Sequence, residues 1–173
     1  SAPRPTRGNA PGEECGVSAR GHRLDATWAI ATAAKASYPA WLDTTVVWEA
    51  SEPYLYLRTT ADRRLVAGGE DEARELRHRD RRLLGRKARA INQKLGTLIP
   101  DLHYRIQYRW AGTFGGSDTG LPMIGAVPGM AGCYAVMGFG GNGIVNASIA
   151  SELIVAALEG RRDPDARLYR LSS

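Results

Sequence analysis

The chain has 173 residues, 43% of them hydrophobic and 24% charged, with a formal net charge of +5. That is enough chain for one core and the balance of an ordinary globular protein. No apolar run nears the roughly 20 residues of a membrane span and the start of the chain has no signal-peptide apolar segment, so a cytoplasmic setting is the expectation.

Residues 1–21 are rich in Pro, Gly, Ala and charge and have no period, which reads as a flexible leader or a cut edge. From Leu24 the pattern turns strand-like through "TWAIAT", "TTVVWEA", "YLYLRTT" and "RLVAGGE". The last two are joined by polar turn residues at Ala61, Asp62 and Arg63 and form an expected hairpin. A helix follows, stopped before Pro100, with Leu84, Ala88, Ile91, Leu95 and Leu98 on one buried stripe. Arg82, Arg86, Lys87, Arg89 and Lys94 fall mostly off that stripe, as a solvated basic face. This segment carries much of the positive charge but no aromatic platform for bases, so nucleic-acid binding is not expected.

In "YRIQYRWAG", Tyr104, Ile106, Tyr108 and Trp110 alternate with Arg105, Gln107 and Arg109, the period of two of a half-buried strand, with antiparallel pairing expected. Beyond Trp110 glycine becomes frequent. Cys133 reads as a small buried hydrophobe in an apolar strand; with Cys15 it offers at most one bridge. Neither cysteine nor His22, His78 or His103 has ligand spacing, so no metal is expected.

An apolar strand from Tyr134 to Met137 then leads into Gly138, Gly140 and Gly143, at the G-x-G-x-x-G spacing of a dinucleotide turn, and into a helical pattern. A Rossmann turn also needs a second strand ending in an acidic residue about 20 positions on. Asp163 has that offset but lies beside Pro164 with no strand before it, so the fingerprint fails its own test. The helix is expected to be capped by Asn142 and packed through Ile144, Ile149, Leu153 and Ala157, its free N–H groups making a positive end suited to an anionic or electron-accepting ligand.

Three segments in order, "EPYLYLRTTADRRLVAGGEDE", "YRWAGTFGGSDTGLPMIG" and "CYAVMGFGGNGIVNASIASELIVAALEGRRDPDARLYR", resemble the C-terminal part of the FAD-dependent D-amino-acid oxidase, glycine oxidase and sarcosine oxidase superfamily. The resemblance runs from about Leu24 to the end. It implies an α+β fold: an antiparallel substrate-domain sheet with a packed amphipathic helix (22–112), then the closing strand and last helix of an FAD domain (113–173). The N-terminal βαβ unit that holds the pyrophosphate in such proteins is expected to be absent. It implies FAD contact by Phe139, Gly140, Gly141, Asn142, Gly143 and Ile144, with Gly141 and Gly143 letting the backbone approach the flavin ring and Gly129 in an ordinary turn.

Tyr54 matches a substrate-side tyrosine, and period two puts Tyr56 and Arg58 on its face; the plainer alternative for all three is sheet packing. The implied chemistry is hydride removal from the carbon bearing an amine, with no catalytic acid or base among the side chains. Phe114 stands on the substrate side where amino-acid-oxidising relatives carry an arginine that clamps the carboxylate, and Thr119 precedes Gly120 where several have Asp, so amine and amino-acid substrates both stay open. A fragment of such an oxidoreductase, inactive alone, retaining little FAD and self-associating, is one expectation. A non-catalytic binding or scaffolding module derived from the same fold is the other.

Overall fold

The computed structural model describes residues 21–34, 36–73, 75–100 and 102–171. The expectations for residues 1–20, Cys15 included, lie outside the described residues. The chain divides into two compact units, one of Leu24–Thr113 and one of the flanking segments that end at Arg23 and begin at Phe114.

The Leu24–Thr113 unit is built on an antiparallel sheet. Its strands are β1 (His22–Thr32), β2 (Val47–Trp48), β3 (Leu55–Thr59), β4 (Leu65–Glu72) and β5 (Ile106–Ser117), in the order β2-β3-β4-β1-β5. The hairpin β3–β4 pairs Tyr56 with Gly68 and Thr59 with Leu65. Its turn closes through the Thr60 N–H to the Arg64 carbonyl at 3.0 Å, with Arg63 at φ +58°. "TTVVWEA" is strand only at Val47–Trp48, because the chain before it coils into a 3-10 turn at Ala40–Thr44 that buries Leu42.

Helix α1 (Arg81–Leu98) begins where the Asp80 carboxylate accepts from the N–H groups of Arg82 and Leu83 at 2.8 and 3.1 Å. Leu83, Ala88, Ile91 and Leu95 are buried against Trp28, Ile30, Leu55, Leu57, Leu65 and Ala67. Three details of the expected stripe change. Leu83 is buried at its start beside Leu84, which packs half-buried on the same core, and Leu98 is 43% exposed because the helix ends there and Ile99 folds inward instead. Lys87 stands four residues from both Leu83 and Ile91, so helical geometry puts it on the buried stripe and not on a solvated face. Its side chain is only 12% exposed.

Tyr104 and Ile106 pack on the core, but Tyr108 and Trp110 are 51% and 44% exposed. The expected half-buried face stops at Ile106, and the Tyr108 ring meets the Arg64 guanidinium at 5.4 Å.

The second unit pairs β6 (Met123–Ala126) with β7 (Tyr134–Met137), Met123 opposite Met137. Helix α2 (Gly143–Leu158) lays Ala150 and Leu153 on Ile124, with Ile149, Val136 and Tyr169 around them. Ile144 is not in this contact; it is 91% exposed. It precedes Leu153 by two and a half helical turns and so lies on the opposite face. Ala156, at 3% exposure, takes the buried place expected of Ala157. Cys133 is a free, exposed thiol. Its N–H reaches the Met130 carbonyl at 3.1 Å in the turn before β7, so it sits outside the strand that was expected to bury it.

Candidate functional site

The second unit supplies the loop that leads from β7 into α2. Gly138 and Gly140 hold φ of +75° and +56°, the left-handed region that glycine enters at little cost. The Gly140 N–H donates to the carbonyl of Gly115, a residue of the same unit, at 2.7 Å. A β-carbon on Gly115 would stand 2.6 Å from His22 Nε2, so this tie also needs glycine there. Gly141 and Gly143, by contrast, have no positive φ and open space where a β-carbon would project. The conformational demand of the fingerprint therefore falls on Gly138 and Gly140. Gly129 lies in the turn closed by the Met130 N–H to the Val127 carbonyl at 3.1 Å, where its φ of +76° favours glycine.

Asn142 occupies the cap position without a side-chain cap. Asn146 reaches back instead, donating from Nδ2 to the Phe139 carbonyl at 3.0 Å, while Asn142 accepts the first helical hydrogen bond through its own carbonyl. Among the described residues the main-chain N–H groups of Gly141, Gly143, Ile144 and Val145 find no partner. The three at the helix start, Gly143, Ile144 and Val145, carry partial positive charge, and Gly141 lies just before the cap. Gly141, Asn142 and Ile144 are exposed, and Phe139, Gly140 and Gly143 half-buried. Phe114, on the last part of β5, is half-buried.

The Leu24–Thr113 unit carries the other group of expected residues on the sheet face away from α1. Trp48, Tyr54 and Tyr56 form an aromatic row, with ring centroids 6.4 Å apart between Trp48 and Tyr54 and 6.2 Å between Tyr54 and Tyr56. Arg58 continues the row as an exposed cation whose Nη1 lies 3.5 Å from the Thr59 carbonyl. Tyr56 folds down over Gly68, where a β-carbon would come within 2.5 Å of its Cζ. The glycine is what lets the ring lie on the sheet.

Asp71 completes this face and was not singled out in the sequence. The Tyr54 hydroxyl donates to Asp71 Oδ2, and among the described residues Asp71 Oδ1 is buried without a hydrogen-bond partner. Burial, then the hydrogen bond and charge of Asp71, push the Tyr54 phenol far above its usual range. Tyr56 is raised by burial and by Asp71, against the lowering effect of Arg58.

Period two along β4 from Gly68 would have put Glu70 on this face and Asp71 against α1. A bulge reverses them. Trp28 pairs with Gly69 and Ala26 with Glu72, so one extra residue is taken up on β4, with Gly69 at φ +136° and Glu70 at +60°. Glu70 turns under the sheet to Lys94 at 2.6 Å and Lys87 at 3.5 Å. Lys87 also bridges to Glu72 at 3.1 Å and lies 4.8 Å from the centre of the Trp28 ring. The Gly-Gly pair inside a strand was the available signal for the bulge.

The comparisons bear on both units. A family profile described as FAD dependent oxidoreductase matches residues 20–157. The chain belongs to that family. Its fold is similar to the crystal structure of glycine oxidase from Geobacillus kaustophilus (TM-score 0.73, 20% identity, covering 93% of this chain and 41% of that one). L-proline dehydrogenase from P. horikoshii follows, with a TM-score of 0.69, 18% identity and coverage of 92% and 42%. Iminodiacetate oxidase from Chelativorans sp. BNC1 gives 0.67, 20%, 90% and 42%. The chain thus spans about two-fifths of the length of each of these members. Curated proteins give no match. No described helix is long and apolar enough to cross a membrane.

Proposed function

We propose that this chain is the part of an amine- or amino-acid-oxidising flavoenzyme that supplies the substrate-side sheet and the last flavin-contacting loop. Residues 22–112 then serve as the substrate domain and 113–173 as the C-terminal segment of the FAD domain. The observation that carries the reading is the set of unpartnered N–H groups at Gly141, Gly143, Ile144 and Val145, in a chain of a family described by its FAD. Bound FAD supplies the two-electron acceptor for removal of a hydride from the carbon bearing the amine.

The chain's own residues do the rest. With FAD bound, the N–H groups of Gly141, Gly143, Ile144 and Val145 would stabilise negative charge on it, and their orientation is already fixed by the loop and the helix. Phe139 and Gly140 shape the loop beneath them, and Asn146 fixes it from within the helix. On the sheet, Tyr54, Tyr56 and Arg58 hold the substrate; Phe114, in the other unit, offers no cation to clamp a carboxylate. The open space at Gly141 and Gly143 fits a flat group better than a second layer of protein.

The chain alone then retains little FAD, because the dinucleotide's remaining anchors lie on a βαβ unit that these residues do not include. The test is anaerobic addition of amines and amino acids to a polypeptide that carries this chain together with such a unit. Loss of the oxidised flavin absorption supports the reading; an unchanged spectrum with every amine and amino acid tried refutes it.

A further inference from the structure

The hydroxyl of Tyr54 has one proton and two acceptor lone pairs. Its proton is committed to Asp71 Oδ2, and no other acceptor is needed to explain its orientation. What remains for a ligand on this face is therefore the acceptor side of the phenol, backed by a carboxylate. We infer that Asp71 is a specificity-determining residue: by taking the Tyr54 proton it makes this sheet face a receptor for an ammonium group and a poor one for a carboxylate.

Three further features agree. The rings of Trp48 and Tyr56 flank Tyr54, and their π-faces attract a cation. Asp71 Oδ1 is buried and unpaired, so the negative charge behind the phenol is not spent on a neighbouring side chain. The nearest lysines are turned away by the bulge: Lys87 and Lys94 pair with Glu70 on the α1 side. Arg58 is on the ligand's face but farther along the strand, beyond Tyr56, where it marks the limit of the cation-accepting patch. A tyrosine with a free proton would act oppositely, donating to a carboxylate; the difference lies in one partner, not in the tyrosine.

The inference rests on the proposed function only in calling the bound ammonium compound a substrate, and it is tested without flavin. Propylammonium and propionate, matched in size, are titrated separately into the 173-residue chain while the ring signals of Tyr54 and Tyr56, assigned with Tyr54→Phe and Tyr56→Phe, are followed by NMR. A hydrogen bond to a charged group predicts that the parent prefers propylammonium by about tenfold or more. Asp71→Ala frees the phenolic proton and should erase or reverse that preference, while Asp71→Glu restores it. Read from the Tyr56 ring, Tyr54→Phe should weaken the amine and leave the carboxylate as it was, which a general loss of packing would not produce. Asp71→Asn, the variant least disturbing to the fold, should give an intermediate preference. Equal binding of the two probes by the parent, binding of neither, or an unchanged ratio in cooperatively melting Asp71→Ala and Asp71→Asn proteins would overturn the inference. A clear amine preference without flavin chemistry would leave it standing and reject the proposed function instead.

Discussion

Adding one methyl group to Gly68 tests whether the aromatic face depends on the bare backbone beneath it. A β-carbon there lies 2.5 Å from Tyr56 Cζ and 2.9 Å from the Trp28 carbonyl oxygen, both inside the closest contact that real β-carbons make. The Tyr56 ring must lift and the strand must shift a little, an overpacking cost of about 1–3 kcal/mol. In a unit of this size that lowers Tm by about 4–8 °C for each kcal/mol. Thermal melts followed by far-UV circular dichroism measure it. In a Tyr56→Ala background the ring clash is gone and only the carbonyl contact is left, so the same Gly68→Ala change should cost less. Gly69→Ala should cost more than Gly68→Ala, because its β-carbon meets the Tyr54 carbonyl, which cannot swing away, at φ +136°. An equal cost for Gly68→Ala with and without Tyr56, or no cost at all, would refute the reasoning.

Glu72 titrates below its ordinary value of 4.5: burial alone would raise it, but hydrogen bonds and charge from Lys87 and Arg77 prevail. A carboxyl lowered by folding stabilises the fold above its unfolded pKa, and that contribution is lost as pH falls through the lower folded value. Urea unfolding should therefore show stability falling below about pH 4.5 less steeply in Glu72→Gln than in the parent. Gly96, exposed in α1 with open space at its β-carbon, should gain about 0.5–1 kcal/mol as alanine, read from the same melts. Ile144, Val145, Val155 and Leu158 expose a broad apolar surface on α2, so the isolated chain should self-associate at micromolar concentration. Sedimentation velocity should show Val155→Glu with Leu158→Lys restoring the monomer.

The hairpin, α1 and the strand before the glycines were legible because each rests on local chemistry: period two, an apolar stripe and turn residues. The deeper burial of Leu83 beside Leu84 and the fate of Lys87 were not, since a stripe fixes a face only to within one residue and a lysine looks solvated until its carboxylate partners are known. Those partners come from β4, whose bulge no alternation reveals. Asp71 was hidden for the same reason: in "GGEDE" three acids stand in a row, and only the extra residue at Gly69–Glu70 decides which one meets Tyr54. In the second unit the fingerprint spacing drew attention to Gly143, whereas the backbone strain sits at Gly138 and Gly140. Ile144 was taken into the core from its apolar character alone. α2 is apolar on several sides, so composition cannot say which side is covered.

The central claim is that the start of α2 faces a flavin, and Gly143→Val tests it most directly. The added side chain meets open space at a residue without positive φ, so the variant should melt as cooperatively as the parent. In the polypeptide that carries this chain with its flavin-binding unit, the account predicts that Gly143→Val loses bound flavin or is reduced by amine far more slowly. Equal flavin content and an equal reduction rate would mean that these glycines serve only the turn, and the flavin assignment of this loop would be wrong.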